Sequence, residues 1–173
     1  MRTKFIVTLS IFIVVSIIAF YRMGFLPMVF TPSPTGSVTP EEMISGIFNP
    51  FDCLGSDFQN VVAYVIIDSE DLAELPKQVR ASRVLKCSDP EMIAKLQSQF
   101  DFQLTNSDLA TCQSSFIIIE NGEVKFVSNL VLTETTLGLQ GKFGWAPAIN
   151  YDAALSLLVS FQPSYSPVVV LGR

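Results

Sequence analysis

The longest uninterrupted apolar run lies at the start. Residues 5–21 (FIVTLSIFIVVSIIAFY) carry no charge. Seventeen residues reach the lower end of the roughly 17–25 that a membrane-spanning helix needs. A cleaved signal peptide has a shorter apolar region and a small-x-small site, and Ile17-Ile18-Ala19 is a poor one. An uncleaved anchor over residues 5–22 is the favoured reading, with Tyr21 and Arg22 suited to the headgroup level.

Beyond residue 38 the apolar positions fall into short periodic segments. Thr39-Pro40-Glu41-Glu42 has the form of a capping box, and Met43, Ile44, Ile47 and Phe48 follow at helical spacing until Asn49-Pro50. Residues 61–67 (VVAYVII) form a β-branched run short enough for a buried strand. One helical turn is expected over residues 69–75, then a strand over 79–87. Ser88 or Asp89 can cap a helix with Pro90 in its first turn and Met92, Ile93, Leu96 and Phe100 on its buried face.

The clearest local signal is Asn121-Gly122, set between two apolar runs. This pair suits a type I′ turn, because both residues tolerate positive φ. Simple pairing about the turn sets Ile119 opposite Val124 and Ile117 opposite Phe126, with Phe116, Ile118, Val127 and Val131 on the other face. Both faces are apolar, so the hairpin is expected to be central and covered on both sides. The same register opposes Glu120 to Glu123, which is unfavourable, and leaves a four-residue ENGE loop as the alternative. Residues 136–147 read as a glycine-containing loop. Asn150 caps a helix with Tyr151, Ala154, Leu155 and Leu158 as its stripe, ended by Gln162-Pro163, and residues 167–171 form a last strand.

The order of elements implies one α+β domain: a mostly antiparallel sheet with a central hairpin and three to four helices, preceded by the N-terminal transmembrane helix. The division is residues 1–4 cytoplasmic, 5–22 anchor, 23–38 a juxtamembrane and Pro/Ser/Thr-rich linker, and 39–173 the extracytoplasmic domain.

Charge orients the chain. Arg2, Lys4 and the terminal amine precede the apolar run, Arg22 follows it, and the next basic residue is Lys77. The positive-inside bias places the N-terminus in the cytoplasm and the domain outside, which in a bacterium is the periplasm. All 16 acidic residues and 8 of the 11 basic ones lie beyond residue 31, a balance of −8 there. That excludes nucleic acid as a natural partner and favours a protein, a basic one most readily.

The chain contains no histidine. Ser-His-Asp and Cys-His catalysis and imidazole metal sites are therefore excluded. No phosphate-cradling loop or dinucleotide fingerprint occurs, and no catalytic residue, metal ligand set or cofactor is assigned. The carboxylate groups Glu41/Glu42, Asp68/Glu70/Asp71/Glu74 and Glu120/Glu123 sit at expected helix starts or a hairpin tip, which are solvated positions. Three features remain as site candidates. Lys77, Arg80, Arg83 and Lys86 recur every third residue, either neutralising the preceding acidic segment or forming a small anion-contacting patch. Gln140, Lys142, Phe143 and Trp145 mark a binding loop around the only tryptophan, which could equally pack on the core. Cys87 stands where a strand meets a helix, as a reactive thiol or as half of a disulfide. An oxidising compartment favours pairing, and Cys87–Cys112 is the preferred bridge, with Cys53 free. The function expected is a membrane-anchored, non-enzymatic binding module, for example an immunity or inhibitor protein against an envelope-acting toxin. An accessory subunit of an envelope complex is the alternative, and a thiol-dependent enzyme comes third.

Overall fold

The computed structural model describes residues 2–22, 28–30, 46–55, 57–79, 82–105, 107, 113–166 and 168–171. The domain is α+β. Its centre is a seven-stranded, wholly antiparallel sheet in the order β10-β4-β3-β6-β7-β8-β9. These strands are β3 (Val61–Ile66), β4 (Val84–Cys87), β6 (Ser115–Glu120), β7 (Glu123–Leu132), β8 (Leu137–Gly141), β9 (Gly144–Pro147) and β10 (Gln162–Pro163). Helices α2 (Pro90–Gln99) and α3 (Tyr151–Val159) pack on one face. The other face is closed by β11 (Val168–Val170), which pairs in parallel with β1 (Met28–Phe30). A short antiparallel pair, β2 (Ile47–Phe48) and β5 (Phe102–Gln103), flanks the helix side.

Alternation divides the core in two. On the helix face lie Ala63, Val65, Leu85, Cys87, Phe116, Ile118, Phe126 and Leu130. On the second face Val84, Ile117, Ile119 and Val124 meet Val169 and Leu171. The sequence VVAYVII has the composition for this double burial, since both of its faces are apolar. Both sheet edges are blunted. Strand β10 is two residues long and contains Pro163, while β9 is covered by the chain around β5, with Thr105 N–H donating to the Trp145 carbonyl at 2.9 Å.

The β6–β7 hairpin turns through Asn121 (φ 53°) and Gly122 (φ 81°), both left-handed as a type I′ turn requires. Ile119 pairs with Val124 and Glu120 with Glu123, but Ile117 pairs with Val127 instead of Phe126, whose partner is Ile118. A bulge at Lys125 causes the change. It carries Val124 and Phe126, two residues apart, to opposite faces of the sheet. The opposed carboxylates are reconciled by the same residue: Lys125 Nζ lies 2.9 Å from Glu123 and 3.9 Å from Glu120.

Helix α2 is capped by Asp89, whose carboxylate accepts from Glu91 N–H at 3.1 Å, and α3 by Asn150, which accepts from Ala153 N–H at 3.1 Å. Their buried faces are Ile93 and Leu96 with Phe100 just beyond, and Ala154, Leu155, Leu157 and Leu158. Elsewhere the structure departs from the sequence pattern. Ile47 and Phe48 form a strand, not a helix: Phe48 enters a ring cluster 5.4 Å from Phe143 and 5.9 Å from Phe102, while Ile47 turns outward. The capping box at Thr39 lies outside the described residues. Among the described residues, the strand expected over 79–87 is Val84–Cys87, and the turn over 69–75 is a single 3-10 turn, Asp71–Ala73. Residues 28–30, assigned to the linker, are the strand β1.

Helix α1 (Arg2–Arg22) has 21 residues. Its described side chains run from residue 6 to residue 20, about 22 Å of helix at 1.5 Å per residue. Among the described residues no helix is long and apolar enough to cross a membrane.

Candidate functional site

Strand β4 ends at Cys87, and α2 begins three residues later. Between this junction and the segment after α3 lies a cleft of about 330 Å³, lined by Lys86, Cys87, Ser88, Asp89, Met92, Ser160, Gln162, Pro163 and Ser164. The edge strand β10 forms one wall, held by Ser164 N–H donating to the Val84 carbonyl at 2.8 Å. This is the place where two of the sequence candidates, Lys86 and Cys87, come together.

Its chemistry is muted. Cys87 is buried, and that burial pushes its thiol above the ordinary value of 9.0. A hydrogen bond at Asp89 works in the opposite direction, and the Asp89 charge raises the value further. The carboxylate that caps α2 thus offsets what the helix start would do for a thiolate. Cys53 is pushed up to about 11, chiefly by burial, and donates to the Pro50 carbonyl at 3.1 Å. Neither thiol is activated as a nucleophile. Both are free; Cys112 lies outside the described residues, and the Cys87–Cys112 bridge is not formed in this structure. Lys86 does not charge the cleft either. Its ammonium lies 6.0 Å from the centre of the Tyr64 ring, which belongs to the second face of the sheet.

Among the described residues the basic side chains Lys77, Arg83 and Lys86 are not gathered into a patch. Lys77 is in an exposed turn, where its N–H donates to Glu134 at 3.2 Å. Arg83 donates through Nε to the Ile67 carbonyl at 3.2 Å, tying the start of β4 to the end of β3. Lys86 faces Tyr64 on the sheet. Arg80 lies outside the described residues. An interval of three groups charges on a helix face, whereas this stretch is a turn followed by a strand.

The loop around Trp145 is a hairpin, β8–β9, turning at Lys142 and Phe143. Trp145 is 5% exposed, and its ring covers Gly138: a Cβ at that glycine would lie 2.6 Å from Cζ2. Phe143 joins the aromatic cluster, 5.4 Å from Phe48. Gln140 is half-buried, and only Lys142 projects into solvent. The aromatic anchors of the expected binding loop are therefore spent on packing.

Several of the described carboxylates are likewise engaged in structure, while Glu41 and Glu42 lie outside the described residues. Asp71 accepts from Ser114 N–H at 3.1 Å and from its hydroxyl at 2.5 Å, while Ser114 Oγ accepts from Asp68 N–H at 3.0 Å. Glu120 accepts from Gly55 N–H at 3.1 Å. Asn49, which the sequence marks only as a helix stop, is buried. Its Nδ2 donates to the carbonyls of Leu96 and Gln97 and to Asp101, each at 3.0 Å, and its Oδ1 accepts from Phe51 N–H at 2.9 Å. It caps α2 from 47 residues away, a role without a local signal. Among the described residues no group of His, Cys, Asp and Glu could hold a metal ion. In comparison with known proteins, the chain matches no family model, no curated protein and no solved structure.

Proposed function

We propose that the chain is a single-pass, membrane-anchored binding module that presents its acidic α+β domain to a protein partner outside the cytoplasmic membrane. The N-terminus stays in the cytoplasm, and the domain occupies the periplasm of a bacterium. One observation carries the reading: α1 exposes apolar side chains all round, among them Ile6, Ile11, Phe12, Val15 and Phe20, with Phe12 at 68%. A helix that is hydrophobic on every side requires a non-aqueous surrounding. The full 21-residue helix would reach about 31 Å, against a bilayer core of about 30 Å. Arg2 and Lys4 before the uncharged run supply the orientation.

A non-catalytic role is supported by the two described thiols, Cys53 and Cys87, whose pKa values burial raises, and by the lack of histidine. The concrete form we favour is an immunity or inhibitor protein whose negative surface meets a basic, envelope-acting toxin. The protein is expected to resist alkaline carbonate extraction from membranes, and its domain to be digested by protease added to spheroplasts. Release into the soluble fraction, or protection of the domain in intact spheroplasts, overturns the anchor or its orientation. Pulldown with residues 1–173 in detergent is expected to recover a basic protein; recovery of lipid or small molecules alone ends the binding reading. The uncharged girdle of α1 also fits an accessory subunit packed on partner helices. Replacing α1 with an unrelated span leaves a simple tether functional and abolishes that second role.

A further inference from the structure

The anchor and the domain are joined by more than a linker. Only five residues, 23–27, separate α1 from β1, and β1 pairs in parallel with β11 over Met28–Val168, Val29–Val169 and Phe30–Val170. Strand β11 is in turn fastened to the domain. Val169 and Leu171 are buried against Val84, Ile117, Ile119 and Val124 on the second face of the central sheet. The chain leaving α1 therefore meets the domain at β1, before it passes through residues 31–45 to the rest of the fold.

We propose that the β1–β11 pair is a membrane-proximal clasp that sets the working height of the domain and so confines its partner to the bilayer surface. The distances decide this. Six Cα steps from residue 22 to residue 28 span at most about 20 Å, whereas the 24 steps from residue 22 to residue 46 would allow about 80 Å. With the clasp closed, the second path is short-circuited. The proline- and glycine-containing stretch of residues 31–40 then no longer sets the distance between anchor and domain. A partner engaged by a domain so held is met close to the bilayer, where a membrane-embedded or membrane-penetrating protein is presented. This inference rests on the reading of α1 as a membrane anchor.

The test uses the full chain in phosphatidylcholine–phosphatidylglycerol liposomes. A donor dye is placed on an encoded azide at Tyr165, which is 73% exposed, and acceptors are placed on lipid headgroups. Ten Gly/Ser residues inserted among residues 23–27, ahead of the clasp, lengthen the tether by up to about 35 Å and are expected to cut transfer efficiency roughly in half. The same insertion within residues 31–38, behind the clasp, is expected to leave it unchanged. Replacing residues 28–30 by Gly-Ser-Gly, which keeps the length but removes the β1 side chains, is expected to make the second insertion behave like the first. Equal responses to both insertions in the native background overturn the clasp while leaving the anchor intact. Failure of the unmodified protein to float with liposomes overturns the anchor reading, and the proposal with it. A clasp that simply unfolds the domain when broken is recognised by near-ultraviolet dichroism of Trp145, which a released but folded domain retains.

Discussion

The two faces of the central sheet are built from different materials. The helix face is filled by large rings: Phe51, Phe100, Phe102 and Phe116 are fully buried, with Phe100 and Phe102 in edge contact at 4.8 Å and Phe116 5.4 Å from Phe100. The second face is a thin aliphatic layer in which Val169 and Leu171, at the end of the chain, cover Val84, Ile117, Ile119 and Val124. The first face is closed by two helices that the sequence caps independently, at Asp89 and Asn150. The second is closed by a three-residue strand held by pairing to β1. Stability should therefore be layered: the helix face holds the fold, and the second face opens locally.

Two truncations set these faces against each other. Phe116→Ala empties a ring site touching Phe51, Phe100 and Phe126, and is expected to lower global stability by about 3–5 kcal/mol in urea unfolding. Leu171→Ala removes a fully buried side chain too, with a ceiling of about 2–5 kcal/mol, and should fall at the low end because the covering strand can relax. Its distinguishing mark is hydrogen exchange, which should accelerate in β1 and β11 and stay slow in β3 and β6. If Leu171→Ala costs as much as Phe116→Ala and loosens every strand alike, the faces form one cooperative unit and the layered picture fails.

Asn49 extends the comparison to polar groups on the helix side. Asn49→Ala leaves the Leu96 and Gln97 carbonyls without this donor in a buried setting, a loss of about 1–3 kcal/mol. Asn49→Asp should be worse at neutral pH, because a carboxylate would face two carbonyls and the Asp101 carboxyl. Its deficit should shrink as the pH falls and the new acid protonates. A thermal midpoint for Asn49→Asp that equals that of Asn49→Ala from neutral to acidic pH would show that Asn49 acts only as a space-filler.

Local rules carried the sequence reading where they acted alone. Asn121-Gly122 specified its turn, and Asp89-Pro90 and Asn150 specified two helix starts, because each signal is satisfied within four residues. The site readings stayed open where a distant partner decided the outcome. Gly138 looks like loop punctuation until Trp145, seven residues on, is seen lying over it across a strand pair. Lys77, Arg83 and Lys86 share a period that a turn and a strand do not express. The role of Asn49 depends on a helix end 47 residues away, and Ser114–Asp71 joins a loop to a 3-10 turn across 43. Gly138→Ala tests the first of these long-range contacts. A methyl driven into the Trp145 ring should cost about 1–3 kcal/mol and expose the indole, seen as a red shift in fluorescence. An unshifted, fully stable variant would return Trp145 to the list of mobile surface anchors.

The smallest expected effect sits at the tip of the β6–β7 hairpin, where both faces end and solvent takes over. Lys125 holds Glu123 below the ordinary carboxylate value of 4.5, first by its hydrogen bond and then by its charge, and is itself raised above 10.5 by the same pairing. The signs fix the window. The lowered Glu123 contributes stability above pH 4.5 that fades as the pH falls through its folded value. The raised Lys125 contributes below pH 10.5 and fades above. Glu123 is exposed and Lys125 half-buried with its ammonium at the hairpin tip, so solvent and salt screen the pair and the gain is slight. Removing the lysine does more than delete that gain, because Glu120 and Glu123 remain directly opposed in the register. Lys125→Met should therefore invert the trend. Between neutral pH and about pH 3, this carboxylate pair should stabilise the variant as it protonates, while the native hairpin tip loses its ion pair. Parallel pH profiles of the thermal midpoint for the two proteins would mean that the bulge, not the charge of its lysine, is what lets two glutamates face each other beside Asn121-Gly122.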